Sequence, residues 1–284
     1  VAGKLAIICG GGAFPTAVAE VVRKQGSDFV LFGIRGFAEP GAVERFPHEW
    51  IRLGQLGRLQ RLLRQHGAGE VTFVGTIHRP RARDIRVDWA TLAWLPRYLA
   101  AEKRGDNHLL SFLVTGFESE GITVRGVQEV APQLLVPPGV LGRHRPGSEE
   151  EAEIRLGREV ICALGRLDVG QAAVVVRGRV AAVEAAEGTE AMLARVAELR
   201  RSSRIRAGER TGVLVKAPKP GQERRVDLPA IGADTVRQAA AAGLAGIAVE
   251  ARGTIVADAE ALVRTADAAG LFVLGFEPAP GPPP

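Results

Sequence analysis

The apolar run from Lys4 to Cys9 ends at once in Gly10-Gly11-Gly12-Ala13-Phe14-Pro15, and an amphipathic pattern then continues to Gln25. A strand, a glycine turn and a helix in direct succession constrain a fold strongly, because this layout belongs to parallel α/β sheets. It also aims the backbone N–H groups of a helix start at any anion held by the turn. Gly10, Gly11 and Gly12 are therefore candidates for phosphate or nucleotide binding. Pro15 joins them in the first helical turn, where its missing N–H costs nothing. The alternation continues with a strand over Phe29–Ile34, a helix from about Leu56 to Gln65 and a strand over Val71–Gly75. His78 and Arg79 follow that strand at its carboxyl end, the edge at which open parallel sheets bind ligands; the plainer alternative is a solvated loop. A helix from about Ala90 to Lys103 comes next, with Leu92, Leu95 and Leu99 on one side, most simply as core. Asp106 is placed to cap a further helix reaching Glu120 and, at a cleft edge, to touch substrate. A strand over Ile122–Val127 and a linker-like Val136-Pro137-Pro138-Gly139 close this half.

Two nucleotide-binding classes are disfavoured. GGGAFP lacks the G-x-G-x-x-G register, and the second strand ends in FGIRG without an acidic residue for a ribose. The P-loop signature G-x-x-x-x-G-K-[ST] is missing as well.

The second half predicts another α/β unit. Ser148-Glu149-Glu150-Glu151 reads as a capping-box start for a helix to about Leu164. A hairpin over Gln171–Val176 and Val180–Ala185 delivers Glu184 and Glu187 just before a helix for which Thr189 is the natural N-cap. Burial of Glu184 or Glu187 at a strand end needs a counter-ion, either a metal or Lys216. The stretch Gly212–Gly232, GVLVKAPKPGQERRVDLPAIG, then groups Lys216, Lys219, Arg224 and Arg225 around one carboxylate, Asp227. Pro218, Pro220 and Pro229 forbid a long helix there, so it reads as a strand, a basic loop and a short extended piece. Cations that neutralise phosphate oxygens beside a carboxylate that holds a divalent ion suit chemistry on a phosphorylated substrate. A mixed-charge surface loop is the bland alternative. A helix from Ala233 to Ala242, a strand over Gly246–Glu250, a helix over Asp258–Ala269 and a strand over Leu271–Phe276 complete the unit.

Residues 1–131 are thus expected to form an N-terminal α/β nucleotide-binding-like domain and 132–139 a linker. Residues 140–277 are the C-terminal α/β catalytic domain and 278–284 a disordered Pro-rich tail. The expected fold class is α/β, with an N-terminal Rossmann-like parallel sheet, a C-terminal α/β domain of distinct topology and a cleft between them. An excess of 37 Lys+Arg over 32 Asp+Glu favours anionic partners. Aromatics at 5% and the lack of recognition signatures argue against nucleic acid. Two cysteines, Cys9 and Cys162, suit a reducing compartment and supply no zinc site. The opening residues do not read as a signal peptide, and no apolar stretch reaches the length of a membrane span.

With these residues in view, the chain resembles the metal-dependent UDP-2,3-diacylglucosamine pyrophosphatases of lipid A biosynthesis, in the family distinct from the calcineurin-like one. The resemblance rests on GGGAFP from Gly10, Gly105-Asp106, Leu167-Asp168-Val169-Gly170-Gln171, Ala182-Val183-Glu184-Ala185-Ala186-Glu187-Gly188-Thr189, and Lys216-Ala217-Pro218-Lys219-Pro220 through Arg225-Val226-Asp227-Leu228-Pro229, in that order. It implies hydrolysis of UDP-2,3-diacylglucosamine to UMP and 2,3-diacylglucosamine 1-phosphate (lipid X), with Mg²⁺ as cofactor and Mn²⁺ as an alternative. It also implies a homodimer in the cytoplasm, peripherally associated with the inner membrane that carries its lipid-linked substrate. Asp227 matches the family's essential aspartate. Asn107, Glu190 and Ala230 depart from the family's usual Asp, Asp and Thr. On this basis Asp227, Lys216 and Arg225 are the expected catalytic residues, and Asp227, Glu184 and Glu187 the expected metal ligands. The expected substrate contacts are Gly10, Gly11, Gly12, Pro15, His78, Arg79, Asp106, Thr189, Lys219 and Gln222. A nucleotide-sugar binding or regulatory module without turnover is the alternative from another class.

Overall fold

The computed structural model describes residues 3–77, 85–94, 106–205 and 210–278, with the side chains of 106 and 107 outside that set. The chain divides into two compact units, Val1–Leu134 with Glu223–Asp227, and Leu135–Gln222 with Leu228–Pro284. Five residues from the second half of the sequence thus cluster with the first unit.

The first unit is a five-stranded, wholly parallel sheet of β1 (Leu5–Cys9), β2 (Phe29–Ile34), β3 (His48–Ile51), β4 (Glu70–Val74) and β5 (Thr123–Val124). The spatial order is β3-β2-β1-β4-β5. The chain therefore builds outward from β1 in one direction and resumes on its other side at β4, which makes the β1/β4 boundary the switch point of the sheet. Helix α1 (Phe14–Lys24) buries Pro15, Val18, Ala19 and Val22, the i, i+3, i+4, i+7 stripe of an amphipathic helix. Helix α2 (Pro40–Val43) and strand β3 were not legible in the sequence. Helix α3 (Leu56–His66) contributes Leu59 and Leu63 to the core and ends at Gly67 in the left-handed region. Helix α4 (Asp106–Ser119) supplies Val114 and Phe117 to the same core. The strand expected over Ile122–Val127 is only two residues long, because Gly126 turns the chain into α5 (Val127–Val130) and its N–H is taken by the Glu129 carboxylate at 3.0 Å.

The second unit holds a six-stranded mixed sheet in the order β6-β13-β11-β9-β7-β8. Its strands are β6 (Gly139–Leu141), β7 (Ala172–Val176), β8 (Arg179–Val183), β9 (Val213–Lys216), β11 (Gly246–Glu250) and β13 (Phe272–Phe276). A separate parallel pair joins β10 (Ala230–Ile231) to β12 (Ile255–Val256). Strands β9, β11 and β13 run parallel, while β7 and β6 are antiparallel to their neighbours. Helix α6 (Ser148–Gly165) packs Ile154 and Ile161 with Val213, Val215 and Ala248. The alternate residues Leu214, Ile247 and Val249 pack with Met192, Leu193 and Val196 of α7 (Gly188–Arg201), Val236 of α8 (Ala233–Ala241) and Leu262 of α9 (Ala259–Ala269). This period-two division explains why the strands read as continuous apolar runs.

Two local readings change. Val136, in the segment read as a linker, is fully buried and exchanges hydrogen bonds with Thr254 and Arg252, after which Gly139–Leu141 pairs with β13. The start of α6 is set by Gly147, whose N–H goes to the Glu150 carboxylate at 2.9 Å, so Ser148 is already helical. Residues 89–94 are helical, and the rest of the helix expected to Lys103 lies outside the described residues, as does the tail from 279. Among the described residues no helix is long and apolar enough to cross a membrane.

Candidate active site

The first unit places the triple glycine at its switch point. Gly10 and Gly11 donate their N–H groups to Val74 and Thr76, and Thr76 returns one to Gly11, so the ends of β1 and β4 are stitched together. The approach is close enough to demand glycine on both sides: a Cβ on Gly10 would meet the Thr76 carbonyl at 2.7 Å, and one on Gly75 the Gly11 carbonyl at 2.6 Å. The first two glycines thus spend their donors on the sheet. Anion-facing capacity at this turn falls to Gly12, Ala13 and Phe14, whose N–H groups open α1. Pro15 is buried, and its ring lies beneath Gly75. Cys9 is buried at the end of β1, and burial pushes its thiol up to about 12, so it is no nucleophile.

The same unit contains the Glu223–Asp227 turn. The Glu223 carbonyl accepts the N–H groups of Val226 and Asp227, at 3.2 and 3.1 Å, and Val226 packs on the core of the first sheet. Arg225 meets the Glu223 carboxylate through two nitrogens, at 2.8 and 2.7 Å, and reaches Glu118 on α4 at 2.6 Å. A guanidinium gripped by two carboxylates is an anchor, and this one ties the turn that carries half-buried Asp227 to α4. The Arg225 hydrogen bonds hold the Glu223 carboxyl below its ordinary value. That contribution to stability is complete above the ordinary value of 4.5 and is lost as pH falls through the depressed one. The melting temperature of wild type is therefore expected to exceed that of Arg225→Gln at neutral pH, with the gap closing in acid, as a thermal-melt series against pH will read.

In the second unit, Lys216 ends β9 with 5% of its surface exposed, and Glu184 follows β8 with 7%. Between them stands Thr189. Its hydroxyl donates to Glu184 Oε1 at 2.5 Å and accepts from Lys216 Nζ at 2.9 Å. The directions are forced, because an ammonium only donates and a carboxylate only accepts. Lys216 also donates to the Ala230 carbonyl at 3.2 Å, and Glu184 takes the Gln171 N–H at 3.2 Å. Thr189 is therefore no helix cap: α7 starts at Gly188 after Glu187, and the threonine side chain turns to the Lys216–Glu184 pair. The counter-ion of buried Glu184 is Lys216, reached through one hydroxyl.

Around this cluster the loop after β9 is pinned to the segment before β7. Lys219 pairs with Asp168, a residue held at φ 58°. The Lys219 N–H donates to Gln222 Oε1 at 2.6 Å, and Gln222 Nε2 to Gln171 Oε1 at 3.4 Å. Gly170, at φ 122°, lies against the Glu184 carbonyl, which an added Cβ would meet at 2.2 Å. Glu250, buried at the end of β11 beside β9, stands at the same sheet edge. Sequence reasoning passes over Asp168, Gln171 and Glu250 as site residues. The signal for Glu250 was an acidic residue closing an apolar strand. Glu187 is exposed and pairs with Arg195 at 3.3 Å. His78 and Arg79 lie outside the described residues, and so does the Asp106 side chain.

Among the described residues no three His, Cys, Asp or Glu side chains gather into a ready-made metal cage. The donors present are carboxylate oxygens, with Glu187 engaged by Arg195 and Glu184 by Thr189 and Gln171. Carboxylate oxygens are the donor type that Mg²⁺ takes, one or two of them, with phosphate oxygens and water completing its shell.

Both units match known families. The model of the LpxI N-terminal domain covers residues 4–134 and that of the LpxI C-terminal domain residues 137–274. A curated relative from Caulobacter vibrioides, named UDP-2,3-diacylglucosamine pyrophosphatase LpxI, is 44% identical over 275 residues, covering 97% of this chain and 98% of the relative. A solved structure of Thermus thermophilus UDP-glucose 4-epimerase in complex with NAD aligns over 99% of this chain and 86% of that one. Its identity of 13% and TM-score of 0.31 support no inference about this chain.

Proposed function

The chain belongs to the LpxI family, and we propose that it hydrolyses UDP-2,3-diacylglucosamine to UMP and 2,3-diacylglucosamine 1-phosphate in lipid A biosynthesis. The observation that carries this reading from the geometry is the buried Lys216–Thr189–Glu184 chain at the edge of the second sheet. A buried cation fixed in place there suits a substrate whose pyrophosphate oxygens repel an incoming nucleophile.

In the reaction water adds to one phosphorus, the bridging P–O bond breaks, and the bridging oxygen leaves on the other phosphoryl group. Lys216 neutralises charge on the non-bridging oxygens, with Thr189 and Glu184 holding its ammonium in place. Lys219 and Gln222 shape the loop that borders the phosphates. The glycine turn and α1 receive the UDP portion through the N–H groups of Gly12, Ala13 and Phe14. Asp227 is the proposed Mg²⁺ ligand, presented by a turn that Arg225 anchors, so Arg225 acts as a positioning residue. Mg²⁺ supplies charge neutralisation at the phosphates and acidifies water when bound, and Mn²⁺ shares its preference for oxygen donors. We further propose a homodimer in the cytoplasm that meets the inner membrane peripherally, because its substrate is anchored there by two acyl chains.

The test is UMP release from UDP-2,3-diacylglucosamine in mixed micelles. Activity is expected with Mg²⁺, with loss on chelation and recovery on adding Mg²⁺ or Mn²⁺. Binding of the sugar nucleotide without UMP release under any metal condition overturns the reading in favour of a non-catalytic binding module.

A further inference from the structure

Five of the seven large apolar side chains exposed among the described residues fall between residues 77 and 92: Ile77, Ile85, Val87, Trp89 and Leu92. Scattered single exposures are ordinary, whereas a cluster marks a surface that meets something. The backbone beneath three of them is firmly built. Arg86 N–H bonds the Leu53 carbonyl at 2.8 Å, and Asp88 caps the turn by accepting Thr91 N–H at 2.9 Å and Arg58 N–H at 3.1 Å. The Thr91 hydroxyl reaches Gly54 at 2.6 Å, and Trp94 sets its ring edge against Phe112, with centroids 5.4 Å apart. On this fixed base Val87, Trp89 and Leu92 stand 56, 86 and 46% exposed. Thr91 and Trp94 make the inward contacts.

The charge pattern identifies the partner. Among the described residues of the cluster Arg86 is exposed, and the Asp88 carboxylate is spent on the cap. Tryptophan and leucine beside arginine suit the boundary between anionic headgroups and acyl chains, where the apolar bodies enter and the guanidinium stays with phosphate. We propose that Val87, Trp89 and Leu92 form the surface by which this protein seats itself on an anionic lipid bilayer. The proposal rests on the function given above in one respect, that the substrate's acyl chains lie in a bilayer.

Co-sedimentation with vesicles of phosphatidylethanolamine and phosphatidylglycerol tests it. Wild type is expected to partition to these vesicles and weakly to phosphatidylcholine alone. Trp89→Glu/Leu92→Glu should lose at least about tenfold in partitioning, since inserting one large apolar side chain is worth that much. The same variant should keep wild-type UMP release from substrate in detergent micelles. Undiminished partitioning of the double variant overturns the proposal, as does a dimer-to-monomer change in that variant with vesicle binding intact, which would make the patch a subunit contact. Should the double variant misfold, tryptophan emission decides: a blue shift of wild type on vesicles that persists in Trp89→Phe also overturns it. Wild type that binds vesicles through this patch yet releases no UMP leaves the surface standing and removes the pyrophosphatase reading instead.

Discussion

Asp227→Ala is expected to reduce UMP release by about three orders of magnitude or more, the scale seen when a group acting directly on the reacting centre is removed. The fold should survive, because Asp227 is half-buried at the end of a turn whose anchors are Arg225 and Val226. Melting temperature within a few degrees of wild type, with sugar-nucleotide binding retained, separates lost chemistry from lost structure. Substantial turnover by this variant with Mg²⁺ present removes Asp227 from the mechanism.

Lys216→Met carries the second large effect, and it should strike both activity and stability. Removal of the ammonium takes away the cation that reaches Glu184 through Thr189 and leaves a buried carboxylate supported by Thr189 and Gln171. Breaking a buried charge arrangement from one side costs about 3 kcal/mol, and loss of a fixed phosphate-facing cation about two to three orders of magnitude in rate. The double variant Lys216→Met/Glu184→Gln should regain most of the stability, since the stranded charge is gone, while UMP release stays low. Denaturant melts and steady-state rates on the four corners of this cycle measure the coupling. Additive stability losses would show that the two side chains act independently.

Much of this was legible in the sequence where local signals agreed with the final environment. The strand–glycine–helix opening gave β1, the turn and α1 because burial, turn geometry and amphipathicity there all point one way. Strand β3 was missed because HEWI reads as mixed polar, and its pairing with β2 is decided by tertiary contact. Thr189 reads as a cap in the sequence, since a threonine before an acidic first turn is the usual cap; Glu184, five residues back, and Lys216, 27 residues on, claim its hydroxyl instead. Arg225 groups with phosphate-binding cations on charge alone, and no local pattern reveals that Glu118, far back on α4, holds it. The role of the apolar residues near Trp89 was hidden for the same reason: Leu92 reads as core, and only exposure distinguishes it.

The return of Glu223–Asp227 to the first unit has a consequence for dissecting the protein. A cut after Leu134 yields an amino-terminal piece with Glu118 deprived of Arg225 and a core lacking Val226, while the other piece carries those residues on a loop that keeps the Glu223–Arg225 pair and loses the contact with Glu118. Each half is therefore expected to be less stable alone than within the whole chain, and recombining them in trans has to seat that short insertion again.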